Sequence, residues 1–195
     1  MNLFFRLLTL LLMRRLRPRR ISYLDEAVRA HRVWLTDQDA FMHMNNSRYN
    51  SLCDLSSLDL MMRAGLLGPL RKAGLAPVIV YRGITIHRML KFPDAYEVGT
   101  RIVAWTGAYI CFRHEFRRGN RLCAEGYSLG RAVGEREDKP DVQTLIARLD
   151  LKDTPESPPV PEICRLQIDL IEAARAARRA ERAGTAGPAP EPPAG

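Results

Sequence analysis

The sequence predicts an α+β domain in which an antiparallel five-stranded sheet wraps around one long central helix. Two observations predict this class. Apolar residues keep a helical spacing over 47–64, and the residues that follow change to a strand period that is broken by short turns. A single helix beside antiparallel strands buries its apolar side by lying across the sheet. The 195 residues provide for one such domain, which we place at 24–150.

The first strand and the helix are predicted from the residues before the sheet. Residues 28–35 alternate as a short strand, and 36–43 are polar and typical of a loop. Asn45 and the two residues after it offer side chains that can cap the helix over 47–64, and Gly65 ends it. Because apolar residues occupy several faces of this helix, we expect it to be largely buried.

Four further strands follow the helix. Residues 66–76 contain Gly and Pro, which predicts a loop or a short helix. The pair Gly119-Asn120 is a two-residue hairpin signal between the last two strands. The strand patterns themselves cover 77–92, 98–105, 110–117 and 122–133.

Both ends of the chain lie outside the predicted domain. Residues 1–23 form a basic leader, and 151–162 have the Pro-rich composition of a linker. Residues 163–183 are rich in Ala and Arg with helical spacing, so they predict one helix. Residues 184–195 contain Pro and Ala without periodicity, which predicts a disordered tail.

The basic charge of the chain is concentrated in its leader. The chain has 30 Lys and Arg against 22 Asp and Glu, a net charge of +8, and six of the Arg lie within residues 1–20. The remaining 24 basic residues nearly balance the acids, so we expect no nucleic-acid partner. The four cysteines show no C-x-x-C spacing, which predicts no metal site and reduced thiols in a cytoplasmic protein.

The leader predicts a short amphipathic helix. Its apolar run, residues 3–13, is about half of the roughly 20 residues that a bilayer span needs. It also lacks the charge order and the cleavage site of a secretory signal. We expect residues 1–20 to lie on the cytoplasmic membrane face, with the arginines toward anionic lipid. The alternative is a helix packed against the body of the protein or against a partner.

One polar segment, residues 37–49, is a candidate site. A helix N-terminus presents free backbone N–H groups and the positive end of the helix dipole, which can polarise a carbonyl or stabilise an oxyanion. A carboxylate just upstream can attack that carbon or deprotonate a water that does. The same residue types are also ordinary cap and turn formers. The segment places two carboxylates, a histidine and two asparagines before or at the helix start: Asp37, Asp39, His43, Asn45 and Asn46.

The spacing of these residues resembles the D-x-D-x-x-x-H-x-N-N-x-x-Y motif of the hotdog-fold acyl-CoA thioesterases, the 4-hydroxybenzoyl-CoA thioesterase-like group. Tyr49 fills the last position of the motif, and residues 90–98 also resemble a segment of that family. The resemblance covers about 28–134. It implies the hotdog fold, hydrolysis of acyl-CoA with neither cofactor nor metal, and sites built at the interface of a homodimer or tetramer.

By this resemblance the catalytic residues are Asp39, His43, Asn45 and Asn46. Asp39 takes the position of the family's catalytic carboxylate, a general base or nucleophile. The N–H groups near 45–47 would polarise the thioester oxygen. His43 and Asn45 would orient the loop, a water or the acyl group, whereas Asn46 is equally explained as a capping residue.

Substrate contacts are expected from Tyr49, Phe41, Met42 and Asp54, although packing explains Tyr49 equally well. Phe41 and Met42 depart from the family pattern. The plant carrier-protein thioesterases have Asn two residues after the catalytic Asp, and other members have Gly there. The departure makes the predicted pocket more apolar. Asp37 is expected to hold the loop.

Carboxylates on the helix itself offer a second hotdog arrangement. Asp54 and Asp59 are the candidates, because a charge on a largely buried helix is paired or functional. Asp59 could instead face solvent or pair with Arg63, four residues further on. His114 falls on the apolar side of its strand and is predicted to be a hydrogen-bonded core histidine.

The predicted function is therefore the hydrolysis of medium- to long-chain acyl-CoA thioesters to the free acid and coenzyme A. A non-catalytic acyl- or lipid-binding hotdog protein at the membrane is the alternative. The Phe41-Met42 pair favours that alternative, whereas the retained Asp39 and His43 oppose it. A hotdog dehydratase or hydratase is a weaker alternative, since it needs a differently placed histidine.

Overall fold

The computed structural model describes residues 3–16, 20–134, 140–148 and 156–185. A single 3-10 turn, Leu35–Asp37, interrupts the chain between the first strand and the second helix. In chain order the helices and strands are α1 (Leu3–Leu16), β1 (Ala27–Arg32), α2 (Asn46–Arg63), α3 (Leu67–Lys72), β2 (Leu75–Ile86), β3 (Ala95–Thr106), β4 (Tyr109–Arg118), β5 (Arg121–Gly134), α4 (Val142–Arg148) and α5 (Glu162–Thr185).

The strands of the described chain form one antiparallel sheet in the order β1-β3-β4-β5-β2. The α+β class and the five-stranded antiparallel sheet are thus confirmed. The tight turn at Gly119, where φ is 56°, joins β4 to β5 as the hairpin signal predicts. Strand β2 ends the sheet on one side, and its outer edge pairs with no strand in the described ranges.

Helix α2 begins and ends where the sequence places its caps. The Asn45 side chain accepts a hydrogen bond from the Ser47 N–H at 2.9 Å, which satisfies one of the free donors of the first turn. Gly65 adopts a positive φ of 72° after the last turn, a conformation that is open to glycine without strain. The helix therefore needs no tertiary contact to define its ends.

The two faces of the sheet carry different helices. One face packs on α2, where Tyr49, Leu52 and Cys53 lie in a buried cluster with Phe116 of β4. Side chains alternate along a strand, so residues of the other parity face away from α2. That opposite face packs on α5, in a cluster that joins Tyr109, Cys111, Leu129 and Cys164.

Two predicted strands end earlier than expected, and one helix was missed. Strand β1 stops at Arg32, because the chain turns into the 3-10 segment after Val33 donates its N–H to the Asp94 carbonyl at 2.9 Å. Strand β2 stops at Ile86 and not at 92. The N–H groups of His87 and Arg88 both donate to the Cys123 carbonyl, at 2.8 and 2.9 Å, which ends the regular ladder. The short helix α4 was not predicted.

The leader forms the predicted helix, but its arginines do not all face outward. Leu10 of α1 is buried, and the helix lies against α2. Arg6 contacts Asp37, and Arg14 contacts Asp59, so the expectation that these two arginines face lipid is wrong. Their partners are buried carboxylates, for which these two arginines are the nearest cations.

The C-terminal predictions are only partly covered by the structure. Helix α5 extends over Glu162–Thr185. Residues 151–155 of the predicted linker and 186–195 of the predicted tail lie outside the described residues. None of the described helices combines the length and apolar character that crossing a membrane requires.

Candidate functional site

The loop before α2 closes on itself as a small hairpin. Gln38 forms a bridge with Met44, and the Asp39 N–H donates to the His43 carbonyl at 2.9 Å. Met42 lies at the turn with a φ of 62°, a left-handed conformation that disfavours residues with a side chain. The loop is therefore held in one shape against a local strain of about 1–2 kcal/mol.

Asp39 is fixed through one of its two carboxylate oxygens. Its Oδ1 accepts the N–H of Phe41 at 2.9 Å and the N–H of His43 at 3.2 Å. The side chain is half-buried, and no residue in the described ranges donates to Oδ2. The carboxylate is thus oriented by the backbone while one oxygen stays available for a water or a thioester carbon.

Asp37 anchors the loop from inside the protein. Its side chain has no exposed surface and accepts hydrogen bonds from the Trp34 N–H at 3.0 Å and from the Arg6 guanidinium, while Arg48 Nε lies 3.5 Å away as a further ion-pair partner. Its carbonyl oxygen accepts the Asn45 N–H at 2.9 Å. Asp37 therefore holds both ends of the loop, as expected for it, and does not face a substrate.

The start of α2 offers fewer free N–H groups than the sequence predicted. The Asn45 N–H is used by the Asp37 carbonyl, and the Ser47 N–H is used by the Asn45 side chain. The Asn46 N–H donates to none of the described residues. Of the three N–H groups expected to polarise a thioester, only that of Asn46 is thus free among the described residues, and it lies at the positive end of the helix dipole.

The remaining predicted residues of the loop fall into two groups. His43 is half-buried next to Asp39, and the Asn46 side chain is exposed on the first turn of α2. Phe41 and Met42 are 80% and 61% exposed at the tip of the loop, so they line no enclosed pocket in a single chain.

Tyr49 lies in the core. Its ring packs edge-on against Phe116 at 5.1 Å between centroids, and 1% of its surface is exposed. The ring is enclosed by core side chains, so the predicted contact of Tyr49 with substrate gains no support from its position. The packing role that the sequence left open for it is the one that the structure shows.

A large apolar cavity lies between α2 and the sheet, roofed by α3 and α4. Its volume is about 530 Å³. Asp54, Ser57, Leu58 and Met61 form the α2 wall, one face of the helix at spacings of three and four residues. The sheet wall includes Ile79, Ile102, Ile110, Phe112 and Gly130, and the roof includes Leu70, Val142, Leu145 and Ile146.

This cavity was not predicted from the sequence. The signal for its α2 wall is present in the sequence, because the helix carries apolar residues on more than one face. Which face is left open, however, depends on where α3 and α4 pack.

A polar network connects the cavity wall to the core. Asp54, 59% exposed, accepts Arg82 Nη2 at 2.6 Å, and Arg82 Nε donates to Ser128 Oγ at 2.8 Å. Ser128 Oγ lies 3.0 Å from His114 Nε2, and His114 Nδ1 lies 2.8 Å from Thr100 Oγ1. Burial, with a smaller contribution from the Arg82 charge, lowers the pKa of His114 to about 3. His114 is thus a neutral, hydrogen-bonded core residue, as predicted.

The two helix carboxylates have different surroundings. Asp54 lies at the cavity wall with its charge paired by Arg82. Asp59 is buried, with Arg14 Nε at 2.5 Å and Arg63 Nη1 at 3.8 Å from its oxygens. Asp59 is therefore a structural ion pair and not a second catalytic carboxylate.

The loop carboxylate and the cavity are separate within one chain. Asp39 is not among the cavity-lining residues. The first residue of α2, Asn46, lies eight residues before Asp54, which is about 12 Å along a helix. No group of three or more His, Cys, Asp or Glu within the described residues is arranged to hold a metal ion.

A profile of the thioesterase-like superfamily matches residues 33–163, which include the hairpin loop, α2 and the whole sheet after β1. The chain belongs to the thioesterase-like superfamily. This confirms the family that the motif resembles. The predicted enzyme class, a thioester hydrolase, is the one after which the superfamily is named.

The chain is similar to two curated relatives over part of its length. The chain is 37% identical to Protein THEM6 of Danio rerio over 82 residues, which are 42% of this chain and 41% of that protein. It is 29% identical to Protein THEM6 of Xenopus laevis over 128 residues, 65% of this chain and 59% of that protein. The chain thus spans about half the length of the curated relatives that it matches.

Solved structures with the same fold include two thioesterases by name. The probable thioesterase YbaW of Escherichia coli aligns with a TM-score of 0.59 at 14% identity, over 63% of this chain and 96% of that one. The 1,4-dihydroxy-2-naphthoyl-CoA thioesterase Slr0204 of Synechocystis aligns with a TM-score of 0.55 at 16% identity, over 67% of this chain and 100% of that one. At these identities the likeness shows the fold.

Proposed function

We propose that this chain hydrolyses coenzyme A thioesters of medium- to long-chain acyl groups. The observation that carries this proposal is the cavity of about 530 Å³ between α2 and the sheet. Its volume falls within the roughly 300–1,000 Å³ of small-molecule sites, and its walls are almost entirely apolar. An acyl chain, which has no hydrogen bonds to satisfy, fits such walls at no desolvation cost. Coenzyme A is the carrier named for several structural neighbours.

The loop supplies the chemistry. With Oδ1 held by two backbone N–H groups, Asp39 accepts a proton from water through Oδ2 as the water oxygen bonds to the thioester carbon. In the nucleophilic variant Oδ2 itself bonds to that carbon, the thiolate leaves, and water then hydrolyses the resulting acyl–Asp39 anhydride to release the free acid and restore the carboxylate. The Asn46 N–H at the start of α2 stabilises the negative charge on the carbonyl oxygen. The carbon–sulfur bond then breaks, and the coenzyme A thiolate leaves and takes up a proton.

The proposed enzyme acts as a homodimer or a larger assembly of dimers. Asp39 and the cavity are separate in one chain, so a second copy is needed to bring a loop to a cavity mouth. Strand β2 favours such pairing, because it exposes a 12-residue edge of backbone N–H and carbonyl groups. The apolar tip formed by Phe41 and Met42 is exposed in one chain and would be covered in the pair.

The direct test is thiol release from acyl-CoAs of graded chain length by the natural protein and by Asp39→Asn. We expect the variant to lose at least ~10²-fold in kcat, because the amide cannot accept the proton. Asp169→Asn, on the exposed side of α5, is the matched control and should retain full activity. Equal rates for Asp39→Asn and the natural protein would reject the assigned base.

The exposed Phe41-Met42 tip favours one other candidate, a non-catalytic acyl-binding protein. It is distinguished by calorimetric titration with a long-chain acyl-CoA beside the thiol assay. Saturable binding without thiol release over the whole range of chain lengths would replace hydrolysis by binding.

A further inference from the structure

Helix α1 is mounted with its charged side inward and its apolar side outward. Arg6 and Leu10 point into the body and are buried, with Arg14 beside them half-buried. The outward side consists of large apolar side chains that are 44–62% exposed: Phe4, Phe5, Leu8, Leu11, Leu12 and Met13. A surface helix of a soluble domain has the opposite arrangement.

Two arginine–carboxylate contacts fix this orientation. Arg6 contacts Asp37, and Arg14 donates to Asp59 with Nε at 2.5 Å and Nη2 at 2.8 Å. Both carboxylates are at most 1% exposed. Rotating α1 to bury its apolar side would remove the nearest cation from each of these two buried carboxylates and leave only the more distant Arg48 and Arg63, which is unfavourable. The apolar side is therefore held outward by the structure of the body.

The length and the charge around this side indicate what covers it. Fourteen residues make a helix of about 21 Å, shorter than the roughly 30 Å hydrocarbon core of a bilayer, so α1 can lie in an interface but does not span it. Arg15 is exposed in the last turn of α1, and Arg20, a few residues further along the chain, is exposed as well. A row of apolar side chains beside exposed cations is complementary to a lipid surface that contains anionic headgroups.

We propose that the outward side of α1 is a lipid-interface surface, which embeds in a bilayer containing anionic lipid while Arg6 and Arg14 hold the body against the helix. Arg6 of α1 contacts Asp37, and Asp37 adjoins the loop that carries the candidate site. A bilayer-bound α1 would therefore keep this site close to the membrane surface. The membrane contact does not depend on the proposed function. The predicted cytoplasmic location stays a prediction.

Flotation of the full chain with lipid vesicles tests this proposal. Vesicles of phosphatidylcholine alone and with phosphatidylglycerol are compared for the natural protein and for the double variant Leu8→Glu/Leu12→Glu. We expect the natural protein to float with the anionic vesicles and the variant to lose at least tenfold in bound fraction. The matched control is Leu166→Glu/Leu170→Glu, which places the same charges on exposed apolar positions of α5 and should bind as the natural protein does.

Three outcomes would overturn the proposal. The natural protein does not float with either vesicle; or Leu8→Glu/Leu12→Glu binds as well as the natural protein; or both α1 and α5 variants lose binding equally. The competing occupant of this surface is a second copy of the chain, and light scattering detects it through the molar mass. If the natural protein does not bind vesicles and the α1 variant has a lower molar mass than the natural protein, the surface is assigned to a second copy. Thermal melts of both variants show that they are folded. Thiol release plays no part in these outcomes, so an inactive protein leaves the test intact.

Discussion

The contact between Arg6 and Asp37 connects the leader to the candidate site, and Arg6→Gln tests its energetic weight. Arg6 is 6% exposed and Asp37 is fully buried. Removing one partner of a buried ion pair costs about 3–5 kcal/mol, mainly because the other charge is left without compensation. Asp37 retains the Trp34 N–H at 3.0 Å and Arg48 Nε at 3.5 Å, so we expect the lower end, about 3 kcal/mol.

Urea unfolding and thermal melts measure this loss. For a domain of this size about 1 kcal/mol corresponds to 2–4 °C, so the melting temperature of Arg6→Gln should fall by about 6–12 °C. Arg15→Gln, a substitution on the exposed side of the same helix, should change stability by less than about 0.5 kcal/mol. The double variant Arg6→Gln/Asp37→Asn should recover part of the loss, since it removes the buried charge as well.

Two results would refute the reasoning about this pair. If Arg6→Gln is as stable as Arg15→Gln, then α1 is not held by a buried ion pair. If the double variant loses the sum of the two single losses, then the two side chains do not interact. Either result would also mean that this ion pair does not fix the orientation in which the apolar side of α1 faces outward.

Three further predictions concern the core, the turns and the cavity. Below pH 6.5 the unfolded state binds a proton that buried His114, whose pKa is about 3, does not, so this histidine lowers the stability from pH 6.5 toward 3 by up to about 1.4 kcal/mol per pH unit. Burial lowers the pKa of His31 to about 3 as well and adds to this fall, so urea unfolding at a series of pH values should give a shallower but not a flat pH dependence for His114→Gln. Gly119→Ala should cost about 1 kcal/mol in urea unfolding because φ is 56° there, whereas Gly68→Ala, in α3 with open space around it, should be neutral or slightly stabilising. Ala132→Leu narrows the cavity, so it should raise KM for long-chain acyl-CoAs and leave KM for short-chain ones unchanged. Ala76→Leu, outside the cavity, is the control and should change neither. If the two variants show the same dependence of KM on chain length, the cavity does not hold the acyl chain.

Much of the fold follows from local patterns in the sequence. The helical spacing over 47–64 and the N-cap at Asn45 place α2 to within a residue, since capping depends on neighbours in the chain. The strand patterns identify the sheet, and they fail where a distant hydrogen bond ends a strand, as the Cys123 carbonyl does for β2. The motif places Asp39, His43 and Asn45 in one loop because they are only a few residues apart.

The roles of individual charges could not be read in the same way. The sequence shows six arginines in the leader, but not that Arg6 has its partner 31 residues away and Arg14 has its partner 45 residues away. Asp54 and Asp59 are the same residue type on the same helix, and the sequence does not distinguish their roles. Only the tertiary structure shows that Asp54 lies at the cavity wall and that Asp59 forms a buried ion pair.

The sequence by itself thus determined the sheet, the bounds of α2 and the group of polar residues around Asp39, because spacing, capping and turn chemistry act between neighbours along the chain. The tertiary structure alone decided which side of α1 faces outward and where the apolar cavity lies. Both depend on contacts between segments far apart in the chain: buried carboxylates select the inward side of α1, and the packing of α3 and α4 over one face of α2 leaves the apolar cavity.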